Sequence, residues 1–105
     1  MAEPVFLQII MQVVDLKKFN FDGRDEIEDP IEQALADTGI GEVSGGGSGG
    51  GVAIIDVDLE KENDLAEALI VIRRVLRDLV VPPSTIIKQT QPVDAIFQVY
   101  DQPSQ

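Results

Sequence analysis

The residues with the greatest chemical potential are carboxylates at alternate positions, Asp56-x-Asp58-x-Glu60-x-Glu62. Alternation in an extended segment places them on one side of the backbone, an arrangement that can hold Mg²⁺ or Ca²⁺. The spacing matches no EF-hand and lacks the glycine that sharpens such a loop, so a solvated acidic edge is the expectation. A second cluster, Asp22, Asp25, Glu26, Glu28 and Asp29, puts five acids in eight residues and forms a contact patch for a basic partner.

The third candidate is Ser44-Gly45-Gly46-Gly47-Ser48-Gly49-Gly50-Gly51. It contains G-x-G-x-x-G at Gly45, Gly47 and Gly50, but a dinucleotide fingerprint opens a helix and this run joins two apolar strands. No Lys follows it, as a P-loop would need. The expectation is a flexible hairpin tip whose free backbone N–H groups can cradle an anion through Gly45, Gly46, Gly47 and Ser48. Its composition is also that of a flexible spacer.

The remaining chemistry is limited by what is absent. Without Cys there is no thiolate nucleophile, disulfide or thiolate metal site, and without His the commonest general base and transition-metal ligand are missing. Ser44, Ser48, Ser84 and Thr85 therefore have no His to activate them, and no enzyme, cofactor or metal site is expected. Arg73, Arg74 and Arg77, with Lys17 and Lys18, are the only basic concentration, and pairing with the surplus acids is expected of them.

With 19 acidic against 8 basic residues the formal net charge is −11. Such a surface repels nucleic acid and anionic lipid and favours a basic partner. No apolar run reaches the ~18 residues of a membrane span. Met1-Ala2-Glu3-Pro4 lacks the basic region of a signal peptide, so a cytoplasmic protein is expected.

The elements that must position these groups follow from periodicity. The 105 residues fit a single domain, 1–105. Val5 to Val14 alternates as a strand with Val5, Leu7, Ile9, Met11 and Val13 facing a core. Asp15 to Gly23 reads as a loop, with Phe19 and Phe21 capping that core. A helix over Arg24–Thr38 carries Ile27, Ile31, Ala34 and Leu35 on one stripe, and Gly39 stops it. Asp29-Pro30 inside it signals a second helix start, which predicts a break. Ile40–Ser44 is a short edge strand, and Val52–Leu59 a strong one with Ala53, Ile55, Val57 and Leu59 inward. A second helix runs over Asn63–Val80, with Asn63 as N-cap and Leu65, Leu69, Ile72, Leu76 and Leu79 as its buried stripe. Thr85–Thr90 is a strand, Gln91–Asp94 a turn, and Ala95–Tyr100 a further strand or hairpin return. Gln102–Gln105 is a polar tail.

The order β-α-β-β-α-β predicts an α+β, ferredoxin-like sandwich: an antiparallel sheet with two helices on one face and an extra C-terminal strand. The other face, with Phe6, Gln8, Ile10, Gln12, Ile54, Asp56 and Asp58, is apolar enough to suggest homodimerisation or ligand contact.

Gly41-Glu42-Val43-Ser44-Gly45-Gly46-Gly47-Ser48, followed by Ile55-Asp56-Val57-Asp58-Leu59, Ile72-Arg73-Arg74-Val75-Leu76 and Pro82-Pro83-Ser84-Thr85, resembles a group of small uncharacterised bacterial ferredoxin-like proteins. These share a G-x-V-[ST]-G-G-G-[ST] segment, and the resemblance spans residues 25–90. It implies that the glycine run is natural through Ser48 and implies no activity. The function expected from the residues is a non-enzymatic acidic interaction domain, an immunity-type inhibitor of a basic protein. The alternative is an ACT-like sensor binding a small molecule at the glycine-rich hairpin or the open sheet face.

Overall fold

A computed structural model of the chain describes residues 4–91 and 93–100. The expected tail Gln102–Gln105, and Pro92 of the expected turn, lie outside the described residues. The element order is β1 (Val5–Gln12), α1 (Val13–Lys18), α2 (Asp25–Thr38), β2 (Gly41–Gly49), β3 (Val52–Leu59), a 3-10 turn (Glu62–Asp64), α3 (Leu65–Leu79), β4 (Ile86–Gln91) and β5 (Ala95–Gln98). All neighbouring strands pair antiparallel in one open sheet, ordered β2-β3-β1-β4-β5.

The centre of the sheet is β1 against β3, in unbroken register from Val5 opposite Leu59 to Gln12 opposite Val52. Alternation then sorts the side chains. Val5, Leu7, Ile9 and Met11 of β1 and Ala53, Ile55, Val57 and Leu59 of β3 are buried, and they join Ile27, Ile31 and Leu35 of α2 and Ala68, Leu69, Ile72 and Leu76 of α3 in one core. Phe6, Gln8, Ile10, Ile54, Asp56 and Asp58 turn the other way and stay half-buried.

Several local expectations change. Residues 13–18, divided between strand and loop by periodicity, form α1 and bury Leu16. Phe21 packs against the core, whereas Phe19 is exposed. The chain does not break at Asp29: α2 runs through Pro30. Its start lies further back, where Glu26 Oε2 accepts the backbone N–H groups of Asp22 and of Gly23, the latter at 3.0 Å. This side-chain cap satisfies donors ahead of the helix and competes successfully with the Asp29-Pro30 signal. Gly39 stops α2 as expected, with φ 69° and its N–H on Leu35 O at 2.8 Å. Asn63 does not cap α3; it lies inside the 3-10 turn that leads into the helix.

The glycine run is the largest change. Instead of ending at Ser44, β2 continues to Gly49, with Gly45 to Gly49 paired to Asp56 through Val52. Only Gly50 and Gly51 form the turn, at φ 58° and 83°. Two consecutive left-handed residues between antiparallel strands are the primed turn that matches strand twist, and glycine meets that need without a Cβ penalty.

The end of α3 has a similar backbone demand met by the wrong residue. Val80 adopts φ 58°, ψ 55°, its N–H reaching Arg77 O at 3.0 Å while Val81 N–H reaches Leu76 O at 3.2 Å. This pair of bonds is the Schellman closure, which usually places glycine where Val80 stands. A β-branched residue in this conformation costs about 1–2 kcal/mol. Val80 is 60% exposed, so little packing offsets that cost. Val80→Gly is therefore expected to raise the unfolding free energy by about 1 kcal/mol, measured by urea denaturation. An unchanged or lowered midpoint would show that the valine side chain contributes more than its backbone costs.

Candidate functional site

The open face is built from cross-strand rows. One row runs Gly45, Asp56, Gln8, Lys88, Ile96 across the five strands; the next runs Gly47, Ile54, Ile10, Ile86, Gln98. The first row is polar at its centre: Gln8 Nε2 donates to Asp56 Oδ1 at 3.3 Å, between an acid on β3 and a base on β4. The second row is apolar at its centre.

Asp58 lies one step along β3, opposite both Phe6 and Glu42. Two like charges face each other across β2 and β3 there, which is unfavourable without a compensating group. Ser44 supplies part of that compensation. It is the additional residue of a β-bulge, since Val43 pairs with Val57 and Gly45 with Asp56. Its Oγ donates to Asp58 Oδ1 at 3.1 Å.

Two clefts open around these acids. One of about 340 Å³ includes Phe6, Gln8, Ser44, Asp56 and Asp58. Another of about 410 Å³ lies at the start of β2, between Phe6, Ile40, Glu42, Asp58 and Lys61. Among the described residues no three acids converge to hold a metal ion. Asp56 and Asp58 share a face, whereas Glu60 leaves the strand and Glu62 enters the 3-10 turn, so the alternation does not extend to four aligned ligands.

The glycines are not a free hairpin tip. Gly45, Gly46, Gly47 and Ser48 are in register with Asp56, Ile55, Ile54 and Ala53, so the backbone groups facing β3 belong to the sheet ladder. What the run provides is close approach. A Cβ at Gly46 would lie 2.4 Å from Ile54 O and 3.4 Å from Arg24 Cζ, whereas one at Gly47 would meet nothing.

The acidic cluster is divided by its own helix. Glu26 is used in the cap described above, and Glu28 lies 3.3 Å from Arg24 Nε in an ion pair whose N–H does not point along it. Asp22, Asp25 and Asp29 are exposed, as is Glu32, which the sequence reading did not single out. Asp25, Asp29 and Glu32 follow i, i+4, i+7 spacing and share one face. The signal was present in the sequence: the acids continue past Pro30 once the helix is read as unbroken.

Two of the arginines of α3 reach backbone carbonyls. Arg73 Nε donates to Gln98 O and Arg77 Nε to Val99 O, each at 2.8 Å. With Tyr100 Oη donating to Val81 O at 2.6 Å, they fasten residues 98–100 to α3 and the segment that follows it. Burial pushes the Tyr100 phenol above its usual value of 10.0, and the nearby Arg77 charge opposes part of that rise.

No helix among the described residues is long and apolar enough to cross a membrane. Comparison with family models, with curated proteins and with solved structures finds no match for this chain.

Two outcomes are expected. Gly46→Ala should cost about 2 kcal/mol through the backbone clash, while Gly47→Ala should be neutral or slightly stabilising. Equal thermal midpoints for the two variants would contradict the close approach. For Tyr100, the neutral phenol is favoured in the folded chain, so its contribution is fully present below pH 10. It is lost as pH rises above that value, because the unfolded chain ionises first. Tyr100→Phe should cost about 1 kcal/mol at neutral pH and flatten the fall in stability above pH ~10 in a pH series of urea midpoints.

Proposed function

We propose that this chain is a non-enzymatic acidic interaction domain of ferredoxin-like architecture that binds and inhibits a basic protein. The observation that carries this reading is the exposed face of α2. Asp25, Asp29 and Glu32 stand one turn apart on it, and among the described residues no base pairs with any of them. Like charges at i, i+4 oppose helix formation by a few tenths of a kcal/mol each. A helix that keeps them unpaired has a surface suited to an opposite charge. The net charge of −11 extends the same field over the molecule and accelerates encounter with a cation-rich surface.

The ferredoxin-like assignment is supported by the two split β-α-β halves and by the position of β1 and β3 at the centre of the sheet. The alternative of a small-molecule sensor has less support for anionic metabolites, because both clefts of the open face are lined by Asp58 and one also by Asp56.

The test separates binding from folding. In Asp29→Lys, the new base at i+4 from Asp25 should leave stability unchanged or raise it by about 0.3 kcal/mol. The same change should weaken salt-sensitive capture of a basic protein, identified by mass spectrometry from the source cytoplasm, by about tenfold. Capture that survives both Asp29→Lys and high salt would remove α2 as the contact face.

A further inference from the structure

The two edges of the sheet are treated differently. At one, β5 has only four residues, and the carbonyls of Gln98 and Val99 at its end are occupied by Arg73 and Arg77. At the other, β2 has nine residues, and among the described residues no strand pairs with its outer side. Long edges are normally guarded by Lys, Pro or inward charge. β2 has neither Lys nor Pro, and its single charged residue is Glu42. The Ser44 bulge interrupts pairing on the Glu42 side and leaves Gly45–Gly49 as a regular extended stretch with almost no side chains.

The missing side chains expose what lies behind them. A Cβ built on Gly45 would lie 3.7 Å from Asp56 Oδ2, so the carboxylate leans over the glycine towards the edge. Gly47, level with Ile54 in the next row, has open space where a Cβ would stand. A strand added beside β2 would place its own side chains level with these glycines, two strand spacings or about 10 Å from the carboxylate and then from the isoleucine, so only long side chains would reach them.

We infer that β2 takes an extended basic segment of a partner as an additional strand, with a Lys or Arg level with Gly45 reaching Asp56 and a large apolar residue such as Phe level with Gly47 reaching over the glycine to Ile54. Main-chain hydrogen bonds along Gly45–Gly49 supply affinity, and the two side-chain contacts supply register. This rests on the reading that the partner is basic and adds where its chain docks. A second copy of this protein suits the edge poorly: its own Gly45–Gly49 has no base to offer Asp56, and each copy carries −11.

The probe is a capped synthetic nonapeptide alternating Thr with Lys and Phe, titrated into the isotope-labelled full chain. The expected result is saturable binding with slowed hydrogen exchange at the Gly45–Gly49 amides. Gly45→Lys places the chain's own base at Asp56 in a position with ordinary contact distance, and should weaken binding about tenfold. Asp56→Asn, which keeps a partner for Gln8, should do the same, and a Glu-for-Lys peptide should not bind. Perturbation confined to Asp25, Asp29 and Glu32 would overturn strand addition while leaving the acidic-helix reading intact. Absence of peptide binding would overturn strand addition alone, since capture of a folded basic protein tests the other reading separately. Concentration-dependent protection of the same amides without peptide would assign the edge to a second copy and overturn the inference.

Discussion

The fold depends on the pairing of β1 with β3. Eight residues of each strand face one another without a register break. A slip of one residue would turn Val5, Leu7, Ile9 and Met11 outward and bring Phe6, Gln8, Ile10 and Gln12 into the core. Burying two glutamines without partners costs several kcal/mol, so the apolar alternation and the ladder enforce the same register. The buried stripes of α2 and α3 then have one apolar surface to cover, and the open face is defined by exclusion.

That division explains why the polar residues of the middle strands are where they are. Asp56 and Asp58 are outward because Ile55 and Val57 must be inward. Their charge is moderated locally: Gln8 reaches Asp56, and Ser44 reaches Asp58 from a bulge that gives β2 its extra residue. The bulge also shifts the phase of β2, so Gly45 and Gly47 fall beside Asp56 and Ile54. Gly46 falls on the helix side beneath Arg24. The glycine run is thus several structural solutions in series: backbone proximity at Gly46, an unobstructed edge, and a tight turn at Gly50 and Gly51.

Residues 98–100, at and just after the end of β5, are held by a different device. Arg73 and Arg77 of α3 and the Tyr100 phenol hold carbonyls of residues distant in sequence. These bonds fasten β5 where only four residues pair with β4. Thr85, just ahead of β4, is different: its hydroxyl is fully buried and has no hydrogen-bond partner among the described residues. An unpaired hydroxyl in such a place reduces stability rather than adding to it.

Much was legible in the sequence because it depends on periodicity alone. The inward faces of β1, β3, α2 and α3, the stop at Gly39 and the strands β4 and β5 follow from the spacing of apolar residues and from glycine's tolerance of left-handed backbone. Decisions between competing local signals required tertiary structure. Asp29-Pro30 is a good helix start in isolation, but the Glu26 cap and the burial of Ile27 and Ile31 keep the helix continuous. Val13 and Val14 continue a strand pattern, yet the chain leaves the sheet to bury Leu16. Glycine has almost no strand preference of its own, so the extension of β2 to Gly49 had no local signal; the ladder offered by β3 supplies it. The bonds from Arg73 and Arg77 to carbonyls likewise had no local signal, because only the folded chain brings Gln98 and Val99 to them.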